Sequence, residues 1–476
     1  MSVRTSSVLV ALAQLAVPAL AQRPALGPQV TNYVTVSEPS VALTNVRLID
    51  GTGRPAVDGQ TIVITGGRIV AVGRTGSVAI PAGARVIDYP GHTVIPGLVG
   101  MHNHIHYSAA GWRNINLAYS SPRLYLASGV TTIRATGSLA PYEDMNLKRD
   151  IDAGRTPGPR IHLSGPYITG ANPALGVMSV LQSEEEARRT VRYWAQEGAT
   201  WFKLYTTIRR AEMRAAVDEA HKHGLKITGH LCSIGFKEAV ELGIDNLEHG
   251  LFVNTEYDPA KTADQCPATN IGLMETLDLN SPEVQSTFRA MIDRGVSMTS
   301  TLPVIEALVP GRPKDIDPRT LELMYPAIRE AYLAQYNAGK ANPRGGVSEK
   351  AYQKALAYEY AFAKAGGLLA AGVDNTGNGG ALAGIGDQRN LEILVEAGFT
   401  PTEAFRIMSL NGAKILGVDK ELGSVEVGKL ADFAVVRGNP AERPADIRNT
   451  VVVFKDGVGY DPERLYASVR GQVGLR

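Results

Sequence analysis

Eight short apolar runs, separated by stretches of helical periodicity, constrain this chain more than any other feature. The first is Val94-Ile95-Pro96-Gly97-Leu98-Val99-Gly100-Met101, which reads as one buried strand leading into His102-Asn103-His104. The others lie at 129–134, 159–164, 199–205, 225–230, 244–249, 295–300 and 368–374. A strand covered on both faces reads as a continuous apolar run rather than an alternating one. Eight such strands alternating with helices predict a parallel (β/α)8 barrel. Local signals agree. Ser183 and Glu186 form a capping box ahead of helix 187–197, Gly198 stops that helix, and Asp317-Pro318 is an N-cap followed by proline at the first helical position.

The two ends read differently. Residues 41–88, and again 423–436 and 450–457, form short β-runs broken by glycine turns, which predicts a small β-sandwich domain assembled from both termini. The predicted order is a signal peptide (1–21), a linker (22–40), the amino-terminal portion of the sandwich (41–95), the barrel (96–415), and the carboxyl-terminal portion of the sandwich with the tail (416–476). A helical insertion at about 303–366 interrupts the barrel. Its Tyr325, Tyr332, Tyr336, Tyr352, Tyr358 and Tyr360 either pack or line an entrance, and the long loop 252–281 is a candidate lid.

Arg4, the apolar run 8–17 and Ala19-Leu20-Ala21 fit a secretory signal cleaved after Ala21. That run falls short of the roughly 20 residues a membrane span needs. A periplasmic or secreted protein is expected, a compartment that permits but does not require a bridge between Cys232 and Cys266. With 48 basic and 47 acidic side chains the net charge is +1, which offers no nucleic acid or membrane surface a footing. The expected partner is a small-molecule substrate. Homo-oligomerisation stays open.

In such a barrel reactive groups sit at the carboxyl ends of strands. His102 and His104 end strand one, Lys203 lies near the end of strand four, His230 and His249 end strands five and six, and Asp374 ends strand eight. Residues two apart on a strand share a face, so His102 and His104 point together. Five of the six are metal-ligand types, and the sixth is a lysine in an apolar strand where an ammonium is costly. His106 is expected beside the ligands or facing substrate. Glu248 is expected on the opposite strand face as a packing group, His221 and His223 on the surface, and His92 in a turn.

Taken together, these strand-end motifs, with Gly129-Val130-Thr131-Thr132, Trp201-Phe202-Lys203, Leu247-Glu248-His249-Gly250 and the tail 423–432, resemble the amidohydrolase superfamily over about residues 40–457. The closest resemblance is to its prolidase-like and imidazolonepropionase-like metal-dependent hydrolases. The resemblance implies a site of two divalent ions, zinc foremost, bridged by Lys203 after CO2-derived carboxylation. His102, His104 and Asp374 would hold one ion, and His230 and His249 the other. It also implies hydrolysis of a C–N amide bond by a metal-bridged hydroxide, with Asp374 as proton shuttle; the substrate would be a dipeptide, an N-acyl amino acid or a cyclic amide. Ester or lactone hydrolysis is the alternative within the superfamily, and an inactive metal- or ligand-binding protein the alternative outside enzymology. Ser164-Gly165-Pro166-Tyr167 and His230-Leu231-Cys232-Ser233 depart from the dipeptidase pattern. Arg134, His162, Tyr167 and Tyr205 are the candidate substrate-binding groups.

Overall fold

The computed structural model describes residues 25–109, 113–268, 271–343 and 346–475. The expected signal peptide lies outside them. Among the described residues no helix is long and apolar enough to cross a membrane.

The eight expected barrel strands are Leu98–Asn103, Val130–Ala135, Arg160–Thr169, Trp201–Leu204, Lys226–Gly229, Asn246–Glu248, Ser297–Ser300 and Leu369–Ala371. They pair in parallel and in chain order from first to last. The ends meet where Asp374 N donates to His102 O at 2.8 Å and Val373 N donates to Asn103 Oδ1 at 3.2 Å. Gly372 is what allows this approach, since a Cβ there would lie 2.2 Å from His102 N. The same closure places strand eight's ligand-type residue against strand one's.

The opening run is not one strand. His92–Pro96 belongs to a second sheet and Leu98–Asn103 to the barrel, and the chain changes sheets at Gly97. Gly97 N donates to Asp432 O in one direction, while Leu98 N donates to Gly129 O in the other. A Cβ on Gly97 would sit 2.3 Å from Thr131 Oγ1, so a larger residue could not make the crossing.

The second sheet has nine strands of mixed direction, drawn from both ends of the chain. Val34–Val36 pairs with Val458–Tyr460, and Phe433–Arg437 with His92–Pro96. Val41, Leu43, Ile62, Val94, Phe433 and Phe454 are buried in its separate core. The segment read as a linker is structured over much of its length, since Pro28–Thr31 is helical, Val34–Val36 joins the sheet, and Val30 and Val36 are buried.

Ser183 Oγ accepts from Glu186 N ahead of helix Glu184–Glu197, but Glu186 returns its bond to Gln182 N rather than Ser183 N, so the capping box is half formed; Gly198 ends that helix at φ 107°, and Asp317 caps Pro318–Leu323, as expected. Between strands seven and eight lie helices Leu302–Glu306, Pro318–Leu323, Pro326–Ala341 and Glu349–Lys364. Tyr332, Tyr352 and Tyr358 are buried there, so packing is their role. Cys232 and Cys266 are joined as a disulfide, which ties the loop after strand six to the turn after strand five.

Candidate metal centre

His102 is the next-to-last residue of strand one, and His104 follows just beyond the strand. Between them Asn103 faces outward, holding Val373 N and donating to Asp387 Oδ1 at 3.1 Å. That outward anchor sets the two imidazoles inward, with ring centroids 5.1 Å apart. Asn375 Oδ1 accepts from His104 N at 3.1 Å, and its amide donates to His106 O at 2.6 Å, so the chain beyond the strand is held as well.

From the opposite wall, His249 lies 4.6 Å from the His102 ring and 4.4 Å from the His230 ring. Asp374 reaches three histidines: its Oδ1 is 3.1 Å from His104 Nε2, and its Oδ2 is 3.6 Å from His102 Nε2 and 3.7 Å from His249 Nδ1. Ligand atoms of His102, His249 and Asp374 all lie within 4.8 Å of one another, as a shared cation requires. His249 and Asp374 adopt left-handed backbone, with φ 63° and 45°, a costly conformation in non-glycine residues and one that gathers at functional sites.

Lys203 is buried, and among the described residues its Nζ has no hydrogen-bond partner. Burial lowers its pKa to about 8 against the pull of Glu248 and Asp374. Burial, helped by the Lys203 charge, likewise drives His102 to about 4 and His230 to about 3. These imidazoles are therefore neutral near pH 7 and keep a lone pair for a cation. The donor set fits divalent first-row ions: neutral imidazoles, a carboxylate and a buried amine that carboxylation would turn into an oxygen ligand. The unpartnered His249 Nε2 and Lys203 Nζ are the atoms such ions would satisfy.

A family model for the amidohydrolase family matches residues 93–459, most of the chain. The chain belongs to the amidohydrolase family. An uncharacterised Mycobacterium bovis protein is 29% identical over 227 residues, covering 43% of this chain and 55% of that protein. Enamidase from Eubacterium barkeri is 32% identical over 184 residues, covering 37% of this chain and 45% of the enzyme. The chain thus matches about half the length of these curated relatives. Among solved structures, a Xaa-Pro dipeptidase with methionine bound in its active site superposes with a TM-score of 0.65 at 23% identity, over 89% of this chain and 100% of that one. At that identity the likeness shows the fold.

Within this amidohydrolase barrel the four expected substrate groups separate. Tyr167 and Tyr205 face the cluster: Tyr167 Oη is 3.4 Å from the His104 ring nitrogens, and the Tyr205 ring stacks 4.6 Å from His230. The His106 ring lies tilted 4.3 Å from His104 and meets Tyr167 edge-on at 6.0 Å. Arg134 is not a substrate group. Fully buried inside the barrel, it pairs with Glu248 at 2.5 Å, donates to Asn246 Oδ1 at 3.0 Å and lies 4.6 Å over the Trp201 ring. A buried guanidinium needs a fixed counter-charge, and Glu248 supplies it. His162 is not at the cluster either. It pairs in register with Arg134 in the amino-terminal half of strand three, and burial followed by Arg160 holds it to about 4.

Glu248 corrects the expectation of a packing role. Its Oε2 lies 2.7 Å from His102 Nδ1, and its Oε1 takes Arg134 and Thr228. Burial opposes its ionisation, but Arg134 and His102 outweigh burial and hold it well below the ordinary carboxylate range. An ionised carboxylate can only accept, so the His102 proton sits on Nδ1 and Nε2 turns to Asp374. Glu248 and its neighbour His249 can both face inward because the strand ends at Glu248 and the backbone reverses through left-handed His249 and Gly250. Gly250 was the available sign of that reversal. Thr301, 2.7 Å from His249 Nδ1, left no comparable trace in the sequence.

Proposed function

We propose that this protein is a metal-dependent hydrolase that cleaves a C–N amide bond. The observation that carries the proposal is Lys203, an amine buried in strand four with no hydrogen-bond partner among the described residues, whose charge acts on His102, His230 and His249 and is offset by Glu248 and Asp374. Carboxylated, it would hold two divalent ions together with His102, His104, His230, His249 and Asp374. Bound there, the ions would acidify a shared water and polarise a carbonyl.

The chain's own groups would do the rest. Glu248 fixes the His102 tautomer, and Thr301 positions His249 through Nδ1. Asp374 Oδ1 is already engaged by His104 and Thr376. Its Oδ2 would take a proton from attacking water and return it to the leaving nitrogen. Tyr205 and Tyr167 bring phenol groups to the same space, where an oxygen gaining charge would be stabilised by a donated hydrogen bond.

Export to an oxidising compartment belongs to the same proposal and is supported by the Cys232–Cys266 disulfide. The deciding experiment is metal analysis of the purified protein together with an amide library assayed with zinc and bicarbonate. About two ions per chain and amide turnover lost in Asp374→Asn are the expected results. Fully active metal-free protein would overturn the proposal.

A further inference from the structure

A cavity of about 240 Å³ opens directly from the cluster, with His230 in its wall. Leu231, Leu251, Phe252, Val253, Met274 and Leu277 supply much of its apolar lining, and the Cys232–Cys266 disulfide closes one side. Two features define what it accepts. Among the described residues lining it there is no lysine or arginine, so a carboxylate entering it would lose its water without gaining a counter-ion. Its polar wall groups are also already engaged. Asn254 Oδ1 accepts from Phe236 N and Glu256 N, Thr255 Oγ1 donates to Cys232 O, and the Tyr257 and Tyr358 hydroxyls pair at 3.1 Å. Apart from Thr206, the His230 ring and the Asp258 carboxylate, which would itself repel an anion, what remains is apolar surface, somewhat roomier than the cavity of about 150 Å³ that takes a benzene ring.

We propose that this cavity is a subsite for an uncharged aryl or branched aliphatic group of the substrate, so that the protein acts on neutral apolar amides in preference to dipeptides or N-acyl amino acids carrying a carboxylate at that position. The inference rests on the amide-hydrolase reading above. In the reaction water supplies both new bonds: the carbonyl C–N bond breaks, a C–O bond forms, and the products are a carboxylate and a protonated amine. No further reactant is needed.

The test uses the full-length, metal-loaded protein and calorimetric binding of N-benzylacetamide, with 4-(acetamidomethyl)benzoate as the same frame bearing a carboxylate on the ring. The neutral amide should bind roughly tenfold or more tightly than the acid. Leu277→Trp, which adds bulk to the cavity lining, should weaken the neutral amide by a similar factor, with circular dichroism reporting fold. Met274→Trp serves as a second variant. On the unmodified protein, affinity should rise from N-methylacetamide to N-benzylacetamide and stop rising at N-(naphthylmethyl)acetamide, a measurement that needs no variant to fold. Tighter binding of the acid, a folded Leu277→Trp with unchanged affinity, or no dependence on group size would overturn the subsite. Amide hydrolysis without aryl preference removes the subsite and leaves the hydrolase reading intact. Cavity-dependent aryl binding without turnover of any amide does the reverse.

Discussion

Glu248 Oε2 lies 2.7 Å from His102 Nδ1, and the same carboxylate is paired at 2.5 Å with Arg134, so one buried glutamate serves both an arginine inside the barrel and a candidate metal ligand. Glu248→Gln should act through both. Loss of the acceptor that fixes His102 should weaken metal binding roughly 10- to 100-fold, read by competition with a chelator. Leaving Arg134 buried without its counter-charge should cost about 3–5 kcal/mol in thermal or urea unfolding. Adding Arg134→Met should restore much of the stability and none of the metal affinity. If the double variant recovers both, Glu248 does not position His102.

Glu248 also shows how far the sequence could be read. The eight barrel strands appeared as apolar runs, because burial on both faces leaves nothing to alternate with. The six residues from His102 to Asp374 stood at strand ends, where the fold fixes their place. Glu248 was hidden because face assignment by alternation assumes an extended backbone, and His249 leaves it at φ 63°. Arg134 misled for a related reason: its counter-ion lies 114 positions away, and no local pattern records a pair formed across a barrel. The merging of His92–Pro96 with Leu98–Asn103 arose because both pieces are apolar and only the missing side chain of Gly97 marks the change of sheet.

Lys203→Met should separate stability from metal binding. The wild-type metal-free protein buries an amine with no partner, and methionine fills similar volume without that penalty, so metal-free Lys203→Met should be more stable by about 1–3 kcal/mol. The variant should hold fewer ions and lose amide turnover. Reconstitution of wild type in CO2-depleted buffer should reproduce the low metal content, whereas Lys203→Met should not respond to CO2. Metal content independent of CO2 in wild type would count against carboxylation.

Glu359, packed beside Gly250 one residue past His249, provides a pH prediction. Its carboxyl is buried, and burial raises its pKa from about 4.5 to about 8, the pull of Ser300 offsetting only some of this. Between these values the folded protein holds a proton that the unfolded chain has released. Stability from this residue is therefore complete below about pH 4.5, falls as pH rises, and levels off above about pH 8. Each pH unit in that window costs about 1.4 kcal/mol. Glu359→Gln, uncharged throughout, should flatten that region of the stability profile and melt at a higher temperature than wild type at pH 8. Parallel profiles for the two proteins would show that Glu359 is not protonated in the fold.

The disulfide tests whether the loop after strand six is held in place or merely rests there. Cys232 and Cys266 are 34 residues apart, and closing a loop of that length in the unfolded chain is worth about 4 kcal/mol on the chain-entropy model. Cys232 stands two residues beyond His230 and lines the apolar cavity together with Cys266. Thr255 is tied to the same turn through Cys232 O at 2.6 Å. Cutting the bond should therefore loosen the cavity wall more than the metal cluster, whose remaining residues sit on strands and their immediate ends. Cys232→Ser/Cys266→Ser should lose stability of this order, keep its metal content, and bind N-benzylacetamide more weakly than wild type. Reduction of the wild-type protein should produce the same three effects. Metal lost in step with aryl affinity would mean that the disulfide supports the whole mouth of the barrel rather than the cavity wall.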